Sequence, residues 1–330
     1  MTERNKKYIA YLAKVTATLL ILYLLFREFH LGETLAIMSA VDPAFFIAGL
    51  ATMLLAHVLN AYQFKAMMAP HGFALSTSDV FRINMIAKLY SLVIPGVLGG
   101  AAVRWYYLSR PDRKRAQAAA VVLFNRLLEI TVVAVTGLFF WLVDRQAEGR
   151  WFSWENLMLL AGLLAFIYLL VFNARCHDVL RQALRTALLP ASLREKLNKV
   201  FEAFALYRGC SAAFHARIFS ICLARQFLVT LCIFLFATGL GIAVDYDTLG
   251  WIRAVVTLVL MFPVSVGGLG VREAGFAFFL MPYGVPGEAA LALSLLIFVR
   301  SLLFSLLGVV FQVQIHGKAV THDTGRHGSP

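Results

Sequence analysis

The sequence predicts an all-α integral membrane protein with about six full transmembrane helices and two Gly/Pro-broken re-entrant hairpins in an inverted repeat. Three observations carry this reading. First, 60% of the 330 residues are hydrophobic and 15% are charged, whereas soluble domains sit near half apolar and a quarter charged. The excess gathers in runs at 8–26, 43–64, 116–143, 157–172, 218–240 and 289–313, and most reach the ~18–20 residues a helix needs to cross a bilayer. Second, one break occurs twice inside apolar sequence. Residues 95–104 read PGVLGGAAVR and residues 263–272 read PVSVGGLGVR, so Pro95, Gly99, Gly100, Val103 and Arg104 match Pro263, Gly267, Gly268, Val271 and Arg272 in spacing. Third, the basic residues cluster in short segments between the runs, as topology signals do.

The elements follow in order. The run at 8–26 reads as an uncleaved signal anchor, because FREFHLGE follows it without a small-residue cleavage pattern. The run at 43–64 is a second span. From Arg82 to Ile94 the chain has about thirteen residues, ~20 Å of helix, enough to reach just past mid-bilayer. A leg of similar length runs back from Gly99. The run at 116–143 crosses, 157–172 crosses, and 218–240 crosses. The second broken segment and the run at 289–313 complete the chain.

Charge fixes the expected sidedness. With both breaks as hairpin tips, the inside segments hold three Lys/Arg in residues 1–7, Lys65, five in 104–115, seven in 174–214 and two in the tail. The outside segments hold Arg27, Arg145, Arg150 and Arg272. Letting the first broken segment cross instead sends the basic stretch RWYYLSRPDRKR or the N-terminal TERNKK to the wrong face. Both termini are therefore expected in the cytoplasm, and the hairpins enter from opposite faces. The chain reads as one membrane domain over 1–330, with inverted repeat units at about 43–143 and 215–314. Such repeats, with broken helices meeting at the midplane, are common in transporters.

Residues 174–210 differ from the rest. Leu180, Leu184 and Leu188, then Leu193, Leu197, Phe201 and Phe204, form apolar stripes at helical spacing on either side of Pro190. Ser192 and Glu195 have the spacing of a capping box. With Arg and Lys on the other faces, this is a basic amphipathic helix pair suited to the inner membrane surface.

Two features point to a site. The small residues that open each second leg, GGAAVR and GGLGVRE, leave helix N–H groups approachable, and such an end attracts anions. The same glycines also permit close helix packing. Then there are charges at membrane depth, which are costly and usually functional. Arg126 and Glu129 share a helix face at i, i+3 and are expected to pair. Arg300 has no acid within a turn of it, Lys88 lies in the first hairpin, and Arg225 with Gln226 lies in the fifth span. The expected substrate-binding set is Gly99, Gly100, Arg104, Arg126, Glu129, Gly267, Gly268, Arg272, Glu273 and Arg300.

Several function classes are disfavoured. The net charge of +12 is spread through membrane-flanking loops, which argues against nucleic acid as the partner. Cys176, Cys210, Cys222 and Cys232 show no metal spacing and read as reduced thiols. GxSxG, HExxH and P-loop patterns are absent, so neither catalysis nor ATP hydrolysis is expected, and no catalytic residue, metal or cofactor is assigned. Asp245 and Asp247, in DYD, are a weak candidate metal pair.

Taken together, PGVLGGAAVRWYYLSR, NRLLE, FPVSVGGLGVREAGFAFFLMPYGVPGEAA and VRSLL resemble the lysylphosphatidylglycerol synthase transmembrane-region family, over about residues 8–315. That resemblance implies a flippase-like membrane domain in a bacterial cytoplasmic (inner) membrane, here without the soluble aminoacyl-transferase domain. It adds weight to Arg104, Arg126, Glu129, Arg272, Glu273 and Arg300, which fall on matching motif positions. The acidic residue usual after the family's first glycine loop is missing, since GGAAVR stands there. The expected activity is translocation of a phospholipid or polyprenyl-phosphate-type lipid with an anionic or zwitterionic headgroup. The alternatives are a membrane subunit of a lipid-modifying or polyprenyl-phosphate glycosyltransferase system, a secondary carrier of a small anion, and a non-transporting scaffold. Expected partners are membrane phospholipids or polyprenyl-phosphate lipids, with a homo-oligomer or a lipid-biosynthesis enzyme as protein partner.

Overall fold

The computed structural model describes Thr16, Tyr23 and residues 27–93, 98–110, 114–144, 191–261, 265 and 268–324. Ten α-helices and no strands occur among them. They are α1 (Leu31–Ser39), α2 (Pro43–Met68), α3 (Thr77–Val93), α4 (Leu98–Ser109), α5 (Arg115–Val143), α6 (Ala191–Ala205), α7 (Ala212–Gly239), α8 (Tyr246–Val259), α9 (Val271–Leu280) and α10 (Gly287–Thr324). Among the described residues, four helices are long and apolar enough to cross a membrane: α2 with its 3₁₀ extension to His71, α5, α7, and α10 as far as Gln314. These coincide with four of the six expected spans. The other two, 8–26 and 157–172, lie outside the described residues apart from Thr16 and Tyr23, as do residues 174–190 of the expected amphipathic pair.

Helix ends follow local chemistry. Pro43 opens α2 behind Asp42, whose carboxylate accepts from the Ala44 amide at 2.8 Å. Ser211 caps α7 by accepting from the Phe214 amide at 3.2 Å. In the amphipathic segment, α6 spans Ala191–Ala205. Glu195 pairs with Lys199, one turn on, at 2.6 Å.

Each broken segment returns to the end of the molecule from which it left. After α4 the chain reaches Lys114, whose ammonium donates to the carbonyls of His71 and Gly72, at 3.2 and 2.7 Å, in the turn that follows α2. The second hairpin closes on Asp144 at the far end of α5. One carboxylate oxygen accepts from Thr248 at 2.9 Å and Trp251 at 2.8 Å, at the start of α8, and from Tyr283 at 3.1 Å, just past α9. Since α5 runs from Lys114 to Asp144, the two hairpins open at opposite ends of it.

The long helices pack reciprocally. α2 lies antiparallel along α7, tied by the Asp42 amide to the Gly239 carbonyl (2.9 Å) at one end and by the Tyr207 hydroxyl to the Met67 carbonyl (2.8 Å) at the other. The first hairpin's leg α3 packs on α10, and the second hairpin's leg α8 packs on α5. Each contact contains a glycine where backbones come close. A Cβ on Gly308 would lie 2.4 Å from the Met85 carbonyl, and one on Gly137 would lie 2.5 Å from the Ala254 Cβ. Lipid supplies no hydrophobic force between helices, so close van der Waals approach at small residues holds such bundles together. The outer faces stay apolar, with Leu54, Leu55 and Val58 of α2 and Leu302, Leu306 and Val310 of α10 exposed.

Two apolar cores form. One joins Phe140, Trp141, Phe236, Trp251, Phe276 and Leu293, and the other joins Phe64, Met67, Val80, Leu108, Phe124 and Tyr207. On α2 the first core ends at Ala56 and the second begins at Ala61, with His57 and Asn60 between them. On α5 the stretch between Phe124 and Phe140 holds Arg126 and Glu129, and on α7 the stretch between Ile218 and Cys232 holds Arg225 and Gln226. A polar layer therefore crosses the interior between the cores.

Candidate functional site

The polar layer is built from helices of both halves. Glu129 of α5 is 19% exposed and accepts from the Arg225 guanidinium of α7 at 2.8 Å. Its expected partner Arg126 is also within ion-pair distance, but at 3.8 Å and with a half-exposed side chain. Arg104 of α4 stands within electrostatic reach of Glu129, Arg225 and Arg126, and its guanidinium lies over the Phe64 ring, 4.5 Å from the centroid. Three arginines from three helices thus surround one carboxylate.

A second group adjoins it. Arg300 of α10 is 8% exposed and donates to the Cys232 sulfur at 3.5 Å. Lys88 of α3 lies within electrostatic reach of Arg300. Arg253 of α8 is 4% exposed and donates to Thr230 Oγ1 and Gln226 Oε1, both at 3.0 Å. It is within electrostatic reach of both Arg225 and Arg300, which connects the two groups. His57 of α2 sits edge-on to Phe304, within electrostatic reach of Lys88, Arg300, Arg225 and Arg104. Several buried nitrogens of this layer have no hydrogen-bond partner among the described residues: Nε of Arg104, Arg225 and Arg300, Nη2 of Arg253 and Nε2 of His57. Unsatisfied donors in a low-dielectric interior are costly unless a ligand or water meets them.

The expected site residues divide. Arg104, Arg126 and Glu129 come together, and Arg300 adjoins them through Arg253. Arg272 and Glu273 form a pair of their own. Arg272 Nη2 donates to Glu273 Oε1 at 2.5 Å, and Arg272 Nε donates to Ser294 of α10 at 3.2 Å. The other Glu273 oxygen accepts the Gly270 amide at 2.6 Å, so this carboxylate already serves the start of α9.

The glycines have a local role. Gly268 and Gly270 sit at φ 77° and 81°, in the left-handed region that glycine tolerates, so α9 begins only at Val271 and not at the glycine pair. Gly100 lies within the first turn of α4 against α3, where a Cβ would come within 2.9 Å of the Ala87 carbonyl. Gly99 beside it is buried. Gly267, Pro95 and Pro263 lie outside the described residues.

Sequence reasoning left Arg253 out. It sits three residues past Gly250 in DTLGWIRAVV, a place that reads as the mouth of the second hairpin, and only packing carries it inward. Arg225 and Lys88 were visible as intramembrane charges, but their partners were not. Asp245 and Asp247 bracket the start of α8, and no third His, Cys, Asp or Glu joins them at ligand distance among the described residues. At the C-terminal end of α4, one cavity of about 690 Å³ lies among Trp105, Arg115, Lys199, Ala203 and Leu206. Another of about 780 Å³ lies beside Tyr106, Ser109 and Arg110.

Four spanning helices, two returning hairpins and a charged layer between apolar cores define a multi-pass α-helical membrane protein with a polar centre. The chain belongs to the family described as Lysylphosphatidylglycerol synthase TM region, whose model matches residues 11–308. That family ties it to membrane lipid function. No curated protein matches it.

Proposed function

We propose that this protein moves a phospholipid or polyprenyl-phosphate-type lipid between leaflets without catalysing a reaction on it. The observation that carries this reading is the polar layer, in which Arg104, Arg126 and Glu129 from one half meet Arg225, Arg253 and Arg300 from the other. A headgroup in this layer would leave water while its acyl chains stay among the apolar outer faces. Arginine suits the task, because its planar fork grips two phosphate oxygens at once. The cavities beside Trp105 offer an approach from the basic end of the molecule.

In this reading, residues 43–143 and 215–314 are inverted repeat units that rock about the layer, as in other carriers with broken helices. The basic end faces the cytoplasm of a bacterium, with both termini on that side, and the protein sits in the cytoplasmic membrane. Its partners are anionic lipids and, in the membrane plane, a second copy or an enzyme that makes the lipid.

The test is leaflet accessibility of headgroup-labelled anionic lipids in proteoliposomes. Wild-type protein should equilibrate the leaflets, Arg300→Ala should slow exchange markedly, and Arg300→Lys should slow it less. Exchange no faster than in protein-free liposomes, for every lipid tried, would overturn the proposal.

A further inference from the structure

Among the described residues, the polar layer carries more positive than negative charge. Among the described residues, six cationic side chains, Lys88, Arg104, Arg126, Arg225, Arg253 and Arg300, form one electrostatically connected group with a single carboxylate, Glu129, which lies within reach of Arg104, Arg126 and Arg225. Glu129 is already engaged at 2.8 Å by Arg225. Arg272 and Glu273 neutralise each other and contribute no excess of either sign. The remaining apolar sequence brings no counter-charge. The runs 8–26 and 157–172, and the break residues 94–97, 262–264 and 266–267, contain no Asp or Glu.

Buried cations without counter-charge are strongly destabilising. The donors that lack partners show where compensation is missing. Arg253 and Arg300 are more than nine-tenths buried, and each keeps one guanidinium nitrogen without a partner among the described residues. These are the donors that bind phosphate oxygens best.

The sign and size of the imbalance select among headgroups. A zwitterionic headgroup brings no net charge. A lysine-bearing aminoacyl headgroup brings more amine than phosphate charge, and its ammonium groups would find the carboxylate of Glu129 occupied. A phosphodiester such as phosphatidylglycerol brings one negative charge. A phosphomonoester brings about 1.5–2 near neutral pH and a diphosphate two or more, on oxygens that can be shared among several guanidinium groups.

We infer that the ligand of this layer is a multiply anionic phosphate group, a lipid diphosphate or phosphomonoester, and not an aminoacylated or zwitterionic headgroup. This rests on the headgroup-site reading above and narrows its substrate class. The layer then acts as a charge filter, in which each missing negative charge leaves a buried guanidinium uncompensated.

The experiment is a binding series on wild-type protein in nanodiscs of phosphatidylcholine. The probes are a polyprenyl diphosphate, phosphatidic acid, phosphatidylglycerol, lysyl-phosphatidylglycerol and inorganic pyrophosphate. The polyprenyl diphosphate should bind about tenfold or more tighter than phosphatidylglycerol, phosphatidic acid should fall between them, and lysyl-phosphatidylglycerol should show no saturable binding. Equal affinities across the lipids, tightest binding of the lysyl lipid, or no binding of either diphosphate would overturn the inference. Inorganic pyrophosphate binding as tightly as its lipid counterpart would uphold the charge filter while overturning the lipid-carrier reading. Arg253→Gln should weaken diphosphate binding more than phosphatidylglycerol binding. If that variant does not fold, as judged by its ligand-free melt, the wild-type ranking decides alone.

Discussion

Glu129 faces three guanidinium groups, and its energetics differ from those of a simple i, i+3 pair. The shorter contact, to Arg225 on another helix, joins α5 to α7, whereas the Arg126 contact stays within one helix and is partly exposed. Removing one partner of a buried pair strands the other charge and costs about 3–5 kcal/mol, while replacing both with apolar residues often costs little. Glu129→Leu should therefore lower the melting temperature in detergent sharply. The double variant Glu129→Leu, Arg225→Leu should recover much of the loss. Glu129→Leu with Arg126→Leu should recover less, because Arg225 remains stranded. Equal melting of both double variants would show that the interhelical pair does not dominate.

At the scale of the element, the glycines of the hairpin contacts work through backbone approach. Gly308 of α10 leaves no room for a methyl group against the Met85 carbonyl of α3, which is backbone and cannot rotate away. Gly308→Ala must push the helices apart, at a cost of about 1–3 kcal/mol. Gly137→Ala should do the same between α5 and α8, where the obstacle is the Ala254 methyl. A methyl group on Gly32 of α1 would meet nothing within 4 Å, so Gly32→Ala should be neutral or slightly stabilising. Thermal melts of the three purified variants check this contrast, and a uniform response would remove the packing argument. By the same logic, leucine at Gly100 or Gly268 reports on hairpin packing as well as on headgroup entry.

For the whole molecule, the hydrogen bonds of Lys114 and Asp144 bring each hairpin back to its own end of α5. Topology labelling should reflect that. In a background without native cysteines, single cysteines at the exposed positions Ala243 and Pro282 should react with an impermeant reagent from outside the cell. Cysteines at exposed Arg110 and Glu202 should react only after permeabilisation. Arg110 and Ala243 reacting from the same side would contradict the opposed hairpins.

Period and composition by themselves determined the membrane class, the four spans α2, α5, α7 and α10, and the two broken segments, because bilayer thickness and backbone hydrogen bonding leave few other ways to fold such runs. The matching Pro and Gly-Gly spacing located the breaks. The intramembrane charges Arg126, Glu129 and Arg300 stood out for the same reason, since any charge is conspicuous in an apolar run. The i, i+3 spacing also predicted the Arg126–Glu129 contact, while tertiary structure alone decided the partners on other helices. Arg225 lies 96 residues from Glu129, and no local spacing links them. Arg253 enters the layer because α8 packs on α5 and turns that face toward α7. Arg272 and Glu273 pair with each other, with the Gly270 amide at the start of α9 and with Ser294 of α10, a partner that local spacing does not show. Sequence spacing sets which side chains share a helix face. Which faces meet across the bundle depends on the close approach of backbones at residues such as Gly137 and Gly308, and that is a property of the packed helices together.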